Sequence, residues 1–165
     1  MIKIIAAVGK ELELGKAGQL IWHLPNDLKF FKEQTLGCRV LMGCNTFNSL
    51  PNKLPGRKHI VLAMETDVFN KDISDVKIVN NFEEAVIKCE QASQKGETIF
   101  IIGGASVYKQ FLEIADELIL TEVDATCKDA DVYFPAFDKS KYARKVISSN
   151  SDNDIHYEHV VYTKI

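Results

Sequence analysis

The stretch Trp22-His23-Leu24-Pro25-Asn26-Asp27-Leu28-Lys29-Phe30-Phe31 sets a single carboxylate among apolar neighbours. Pro25 suits a first helical turn, and Leu24, Asp27, Leu28 and Phe31 fall at offsets of three, four and seven, along one face. That face is expected to turn inward, making Asp27 the only carboxylate of the chain placed in an apolar cleft. A buried carboxylate is costly unless it is paired or hydrogen-bonded, and a cationic ligand would be a suitable partner. A first-turn acid complementing the helix dipole is the simpler use of the same residue. Trp22, the only tryptophan, lies five residues before the acid, where its indole N–H could hold a water or a ligand beside it.

Two further segments, Met42-Gly43-Cys44-Asn45-Thr46 and Ile102-Gly103-Gly104-Ala105-Ser106, each run from an apolar strand through glycine into a helix. Free N–H groups and the positive dipole end at a helix start favour phosphate, and two such starts at one sheet edge would suit a dinucleotide pyrophosphate. Each junction alone also reads as a tight turn. Gly103-Gly104 lacks the third glycine of the Rossmann fingerprint, and the P-loop pattern is absent. Neither a nucleophile elbow nor H-E-x-x-H occurs, so hydrolase readings have no support. His23 reads as a loop residue and Thr121 as a strand former. Arg57, after Leu54-Pro55-Gly56, is a surface cation or, beside an apolar cleft, a bidentate partner for a ligand carboxylate.

The elements that must position these residues follow from periodicity. Ile2 to Val8 is a nearly continuous apolar run, expected as a central strand buried on both faces. Lys10 to Ile21, with Gly15 and Gly18, reads as a mobile loop of the kind that forms a lid. A helix is expected from Pro25 to Thr35 with Gly37 at its C-terminal end. Further strands are expected at Arg39–Met42, His59–Ala63, Val76–Val79, Thr98–Ile102 and Leu118–Val123, with helices near Asn45, from Phe82 to Ser93, and from Ser106 to Glu113. Val132–Phe134 reads as an edge segment. Tyr142–Ser149 and Ile155–Thr163 read as an antiparallel hairpin joined across Asn150–Asp154. The expectation is a single α/β domain over residues 1–165, with about eight strands in a mixed, mostly parallel sheet and about four flanking helices.

Composition excludes several classes. With 165 residues, 46% of them hydrophobic, the chain can bury a full core unaided. A formal net charge of −3 with interspersed signs gives no basic field for nucleic acid, and no anchor for a membrane. The N-terminal apolar run is too short for a signal segment, so a cytoplasmic protein is expected. Cys38, Cys44, Cys89 and Cys127 form no C-x-x-C pair, which points to reduced thiols rather than a zinc site or a disulfide framework.

Taken together, Ile5-Ala6-Ala7, Trp22 to Asp27, Met42-Gly43 with Thr46, Leu54-Pro55-Gly56-Arg57, Ile102-Gly103-Gly104 with Val107-Tyr108, Leu120-Thr121 and Phe134-Pro135 give the chain an end-to-end resemblance to the bacterial dihydrofolate reductases. The resemblance implies reduction of 7,8-dihydrofolate to tetrahydrofolate with a nicotinamide cofactor, inhibition by antifolates, and a monomer. It assigns Asp27 as the pterin anchor, with Trp22, Thr121, Leu20 and Tyr108 in the catalytic neighbourhood. Ile5, Ala6, Ala7, Leu28, Phe31, Leu50, Arg57 and Ile102 would contact the folate, Arg57 through its α-carboxylate. Ala7, Leu14, Gly15, Gly43, Cys44, Asn45, Thr46, Leu62, Ala63, Met64, Glu65, Gly103, Gly104, Ala105, Ser106, Val107 and Tyr108 would carry NADPH, with no metal. The Gly103-Gly104 peptide would be cis. A reductase of the same fold acting on another pterin or on a pyrimidine, and a dinucleotide-binding module without turnover, are the alternatives.

The sequence departs from the family where the 2'-phosphate of NADPH is usually gripped. Cys44, Met64 and Ser106 stand at positions that are often basic or hydroxylic in the family, and none of them is basic here. Glu65 adds a negative charge to the same loop, so acceptance of NADH is expected. Ile21 stands where proline is usual and Leu20 where methionine is common, which should leave the chain freer before Trp22.

Overall fold

In the computed structural model, which describes residues 1–165, the apolar run Ile2–Val8 is β1, fourth in an eight-stranded sheet. The chain continues through β2 (Glu13–Lys16), β3 (Gln19–Leu20), α1 (Pro25–Thr35), β4 (Arg39–Gly43), α2 (Cys44–Ser49), β5 (Lys58–Leu62) and β6 (Lys77–Val79). It then forms α3 (Phe82–Gln94), β7 (Ile99–Gly103), α4 (Ala105–Phe111), β8 (Glu117–Val123), β9 (Val132–Tyr133), β10 (Tyr142–Asp152) and β11 (Ile155–Lys164). The main sheet has the order β10-β11-β8-β1-β7-β4-β5-β6. β8, β1, β7, β4, β5 and β6 run parallel, and β11 and β10 close the sheet antiparallel.

Strand alternation sorts the core onto the two faces of this sheet. Ile4, Leu41, Ile101, Leu118 and Leu120 belong to the larger cluster, shared with Ala85 and Cys89 of α3 and Val107 and Phe111 of α4. Their neighbours Ile5, Val40, Met42, Phe100 and Ile119 point the other way, into a cluster with Phe47 of α2 and Phe30 and Phe31 of α1. The helices therefore cover opposite faces in pairs, α1 and α2 on one and α3 and α4 on the other. Thr121, two residues beyond Ile119, emerges on the α1 face.

The reading of Lys10–Ile21 as an unstructured loop is corrected by the structure. β2 and β3 form a tight hairpin, with Lys16 opposite Gln19 and Ala17 and Gly18 both at positive φ, and β9 joins it as a third strand. Strands of four and two residues are too short to impose a period on the sequence. Their anchor is instead Glu13, 1% exposed, whose carboxylate accepts the backbone N–H groups of Glu11 at 2.7 Å and Cys127 at 2.6 Å. The closing hairpin is likewise tighter than expected, turning on Asn153 and Asp154 alone, both in the left-handed region.

Gly9, directly after β1, carries no cue in the sequence, yet the chain cannot place a side chain there. A Cβ would come within 2.4 Å of both Glu13 Oε1 and Trp22 Cη2. We expect Gly9→Ala to cost about 1–3 kcal/mol through overpacking. Urea unfolding monitored by Trp22 fluorescence checks this, with a midpoint equal to wild type as the contrary result.

Candidate active site

Asp27 stands in the first turn of α1, and that turn is fixed by the distant hairpin. Leu24 is the N-cap and offers no capping oxygen. Asp152 at the end of β10 accepts the Asn26 backbone N–H at 2.9 Å, the Asn26 side-chain amide at 2.5 Å and the Tyr157 hydroxyl at 2.7 Å. Burial alone would raise the Asp152 pKa, but the bonds from Tyr157 and Asn26 outweigh it and hold the carboxyl below its usual value. A depressed folded-state pKa stabilises above the unfolded value and is lost as pH falls through the folded one. We therefore expect Asp152→Asn to melt below wild type at neutral pH, with the gap closing as pH drops below about 4. Thermal melts across pH test this, and a gap that stays constant in acid would assign the loss to packing.

The Asp27 side chain is 17% exposed, at the edge of the core rather than within it. Of its expected stripe only Leu24 is buried; Phe31 is half-buried and Leu28 is 46% exposed, so this helix face is only partly covered. Asp27 is also not the sole carboxylate in apolar surroundings, since Glu13 and Asp152 are more deeply buried. What sets Asp27 apart is its bonding. Oδ1 accepts the Thr121 hydroxyl at 2.6 Å and lies 2.9 Å from His159 Nε2, whereas Oδ2 has no hydrogen-bond partner in the protein.

His159 and Ser148 escaped the sequence reading. His159 is 4% exposed in β11 and directly opposite Thr121, and Ser148 Oγ lies 2.7 Å from its Nδ1. The alternation Tyr157, His159, Val161 was the available signal, because it sets a histidine on the inward face of a strand. Trp22 makes no hydrogen bond to Asp27; its ring packs with Leu24, Val123 and Tyr157. His23 is an exposed loop residue.

The two glycine junctions lie side by side, because β4 and β7 are parallel neighbours with Met42 opposite Gly103. Their caps, Gly43 and Gly104, provide no side-chain bond to the first N–H groups of α2 and α4. The Gly103-Gly104 peptide is cis. A Cβ on Gly103 would stand 3.1 Å from Thr46 Oγ1, and one on Gly43 would stand 3.4 Å from Val107 Cγ2. Asn45 and Ser106 are exposed, and Thr46, Gly104 and Ala105 are half-buried. Tyr108 is buried, its hydroxyl donating to the Ile5 carbonyl at 2.8 Å, and burial pushes its pKa far up.

The remaining expected residues sit around these centres. Ala7 pairs with Thr121, and Ala6 packs against the larger cluster. Leu50 and Ile102 pack against the smaller one. Arg57 lies at the far end of α1, where it donates to Thr35 Oγ1 at 3.1 Å and to the carbonyls of Lys32 and Pro55. In the β2–β3 hairpin, Leu14 packs on the larger cluster, Gly15 pairs with Leu20, and Leu20 itself is 78% exposed. Leu62 is half-buried and Ala63 buried, while Met64 and Glu65 are exposed and Glu65 makes no ion pair. Cys44 is buried against Asn48 and Val68, with its thiol pKa raised by burial and then by Asp67. All four cysteines are free, and no group of three or more His, Cys, Asp or Glu side chains could hold a metal.

This arrangement defines an α/β protein whose mixed, mostly parallel sheet carries an acid on its α1 face and two uncapped helix starts after neighbouring parallel strands. The dihydrofolate reductase family model matches residues 1–164. The dihydrofolate reductase of Neisseria meningitidis serogroup B is 36% identical over 166 residues, spanning 99% of this chain and 98% of that protein. That of Bacillus subtilis is 34% identical, spanning 99% and 95%, and dihydrofolate reductase HdrB of Haloferax volcanii is 35% identical, spanning 98% and 82%. The chain belongs to the dihydrofolate reductase family. No helix in it is long and apolar enough to cross a membrane.

Proposed function

We propose that this protein reduces 7,8-dihydrofolate to 5,6,7,8-tetrahydrofolate, with Asp27 as the anchor of the pterin. The observation that carries the reading is the Asp27 carboxylate, tied through one oxygen and free to accept through the other. A pterin presents a ring N–H and an amino group side by side, and a carboxylate accepts such a pair and favours the protonated ring. Thr121 fixes the acid from the sheet. Leu28, Phe31, Leu50 and Ile102 supply apolar walls, and the second lone pair of the Ile5 carbonyl remains for a donor on the ligand. Arg57 lies by Thr35, eight residues along α1 from Asp27 or about 12 Å of helix, and three of its N–H groups are already held. Its other two suit the α-carboxylate of an extended folate whose pterin sits on Asp27.

The glycine junctions fit a nicotinamide dinucleotide. First-turn N–H groups of α2 and α4 lack capping side chains, and Gly43, Gly103 and Gly104 keep the space before them clear of Cβ atoms. When bound, the nicotinamide supplies the hydride taken up at the pterin C6. Thr46 and Ser106 would add hydroxyl donors to the phosphates, and Val107 and Tyr108 would back the glycine turn.

Asp27→Asn keeps the shape and removes the charge, so kcat/KM at neutral pH should fall by about two orders of magnitude, roughly 3 kcal/mol. The deficit should shrink in acid, where solution protonation of the substrate replaces the anion's effect. Steady-state rates from pH 5 to 9 decide it, and an equal loss at every pH would remove Asp27 from this role.

Cofactor choice is expected to be weak. Cys44 is turned inward, Met64 and Ser106 carry no charge, and the nearby Lys71 spends its ammonium on the Phe47 carbonyl and Asn70. Each absent cationic contact removes on the order of 1.5–3 kcal/mol of preference for a 2'-phosphate. Glu65 opposes such a phosphate, although its exposed side chain makes this a screened effect. The measurement is kcat/KM for NADPH and NADH at saturating dihydrofolate and fixed salt. A preference for NADPH above about a thousandfold would show that other residues grip the phosphate.

A further inference from the structure

The geometry points to His159 as a positioning residue: a Ser148–His159–Asp27 hydrogen-bond chain, centred on the buried imidazole and ending at an exposed serine, holds Asp27 Oδ1 and leaves Oδ2 to the ligand. This rests on the reading of Asp27 as the pterin anchor and adds to it a group on β11 that acts only through that acid.

Three observations carry it. His159 Nε2 lies 2.9 Å from Asp27 Oδ1, on the same oxygen that Thr121 bonds, so two donors from neighbouring strands converge on one carboxylate oxygen and fix the rotation of the other. The imidazole itself is held in place, stacked on Phe30 at 3.7 Å and 7° and meeting the Tyr157 ring edge-on at 5.4 Å. Its other nitrogen is engaged by Ser148 at 2.7 Å, and that contact depends on an irregularity in β10. Val146 pairs with Val160 but Ser148 pairs with His159, so Ile147 is an extra residue whose bulge brings the serine opposite the histidine. Without it Ile147 would occupy that place.

An ionised Asp27 only accepts, so Nε2 carries the proton and Nδ1 accepts from the Ser148 hydroxyl. Should the imidazole gain a second proton, the same hydroxyl can rotate to accept from Nδ1–H, so both charge states fit without movement of heavy atoms. The cationic state, however, pairs with Asp27 and competes with a cationic pterin. Asp27 is the only acid bonded to the ring. Tyr157 shows it an edge and gives its hydroxyl to Asp152, while the adjacent Glu158 points to the opposite face, within 3.8 Å of Arg144.

The test compares His159→Phe, which keeps the ring volume and the stack, with His159→Gln, which keeps a donor to Asp27 but cannot be protonated. Each is assayed for kcat and KM with dihydrofolate, against pH, alone and combined with Asp27→Asn. The expected result is a loss of about tenfold in kcat/KM for His159→Phe at neutral pH, the scale of one hydrogen bond to a charged group. His159→Gln should recover most of it. In the Asp27→Asn background the difference between the two substitutions should vanish. His159→Phe equal to or better than His159→Gln, or a difference between them that persists in the Asp27→Asn background, would overturn the inference and make the ring a packing element. Should Asp27→Asn itself lose nothing, the anchor reading fails and the inference falls with it. Nitrogen-15 NMR of the wild-type histidines gives an independent check, because a neutral His159 with its proton on Nδ1 is incompatible with the chain.

Discussion

A partly exposed carboxylate keeps a single orientation only where the fold holds it, and the sheet supplies that constraint at Asp27. Two residues facing each other on adjacent antiparallel strands, Thr121 and His159, meet the same oxygen of the acid. Both belong to the face where α1 packs, which follows from strand alternation once Ile119 and Val161 are in the core beneath them. A slip of one residue in either strand would turn its donor to the opposite face, so register across β8 and β11 is as much a part of the site as the side chains.

The last hairpin thereby reaches into the site at two places. Asp152 ends β10 and caps the start of α1, in place of the capping side chain that Leu24 lacks, while Ser148 and His159 brace the acid at the next residue of the same turn. The glycine junctions are built by local means, with strand ends β4 and β7 running into helices whose glycine caps leave backbone donors free. The surroundings of Asp27 are therefore assembled from residues 94 and 132 positions away, and the glycine junctions from short contiguous segments.

That difference decides what could be read from the sequence. Glycine after an apolar strand is a local signature, and both junctions, the bounds of α1 and the central place of β1 were legible. The contact of Thr121 with Asp27 was expected only through family resemblance, since a strand threonine carries no signal of its own; for Arg57 the residues offered two readings, a surface cation or a partner for a ligand carboxylate. His159, Ser148 and Asp152 were not read at all. Their significance comes from long-range register, and for Ser148 from a bulge that leaves no mark in composition. The β2–β3 hairpin was missed for a related reason: the buried Glu13 looks like one more polar residue until its partners, one of them 114 residues distant, are in view.

Burial alone would have ranked the acids in the wrong order. Glu13 and Asp152 are 1% and 7% exposed, deeper than Asp27, and each has both carboxylate oxygens occupied by N–H or O–H donors of the same chain. Each group spends its accepting capacity on organising the chain itself, one at the β2–β3 hairpin and one at a helix start. Asp27 is shallower, and both of its donors fall on one oxygen, so Oδ2 keeps its accepting capacity. A count of donors per oxygen thus sets Asp27 apart from the two deeper carboxylates where depth does not. The proposed pterin contact rests on this difference in bonding, since a ligand donor finds its place on Oδ2 while Oδ1 is held by the sheet.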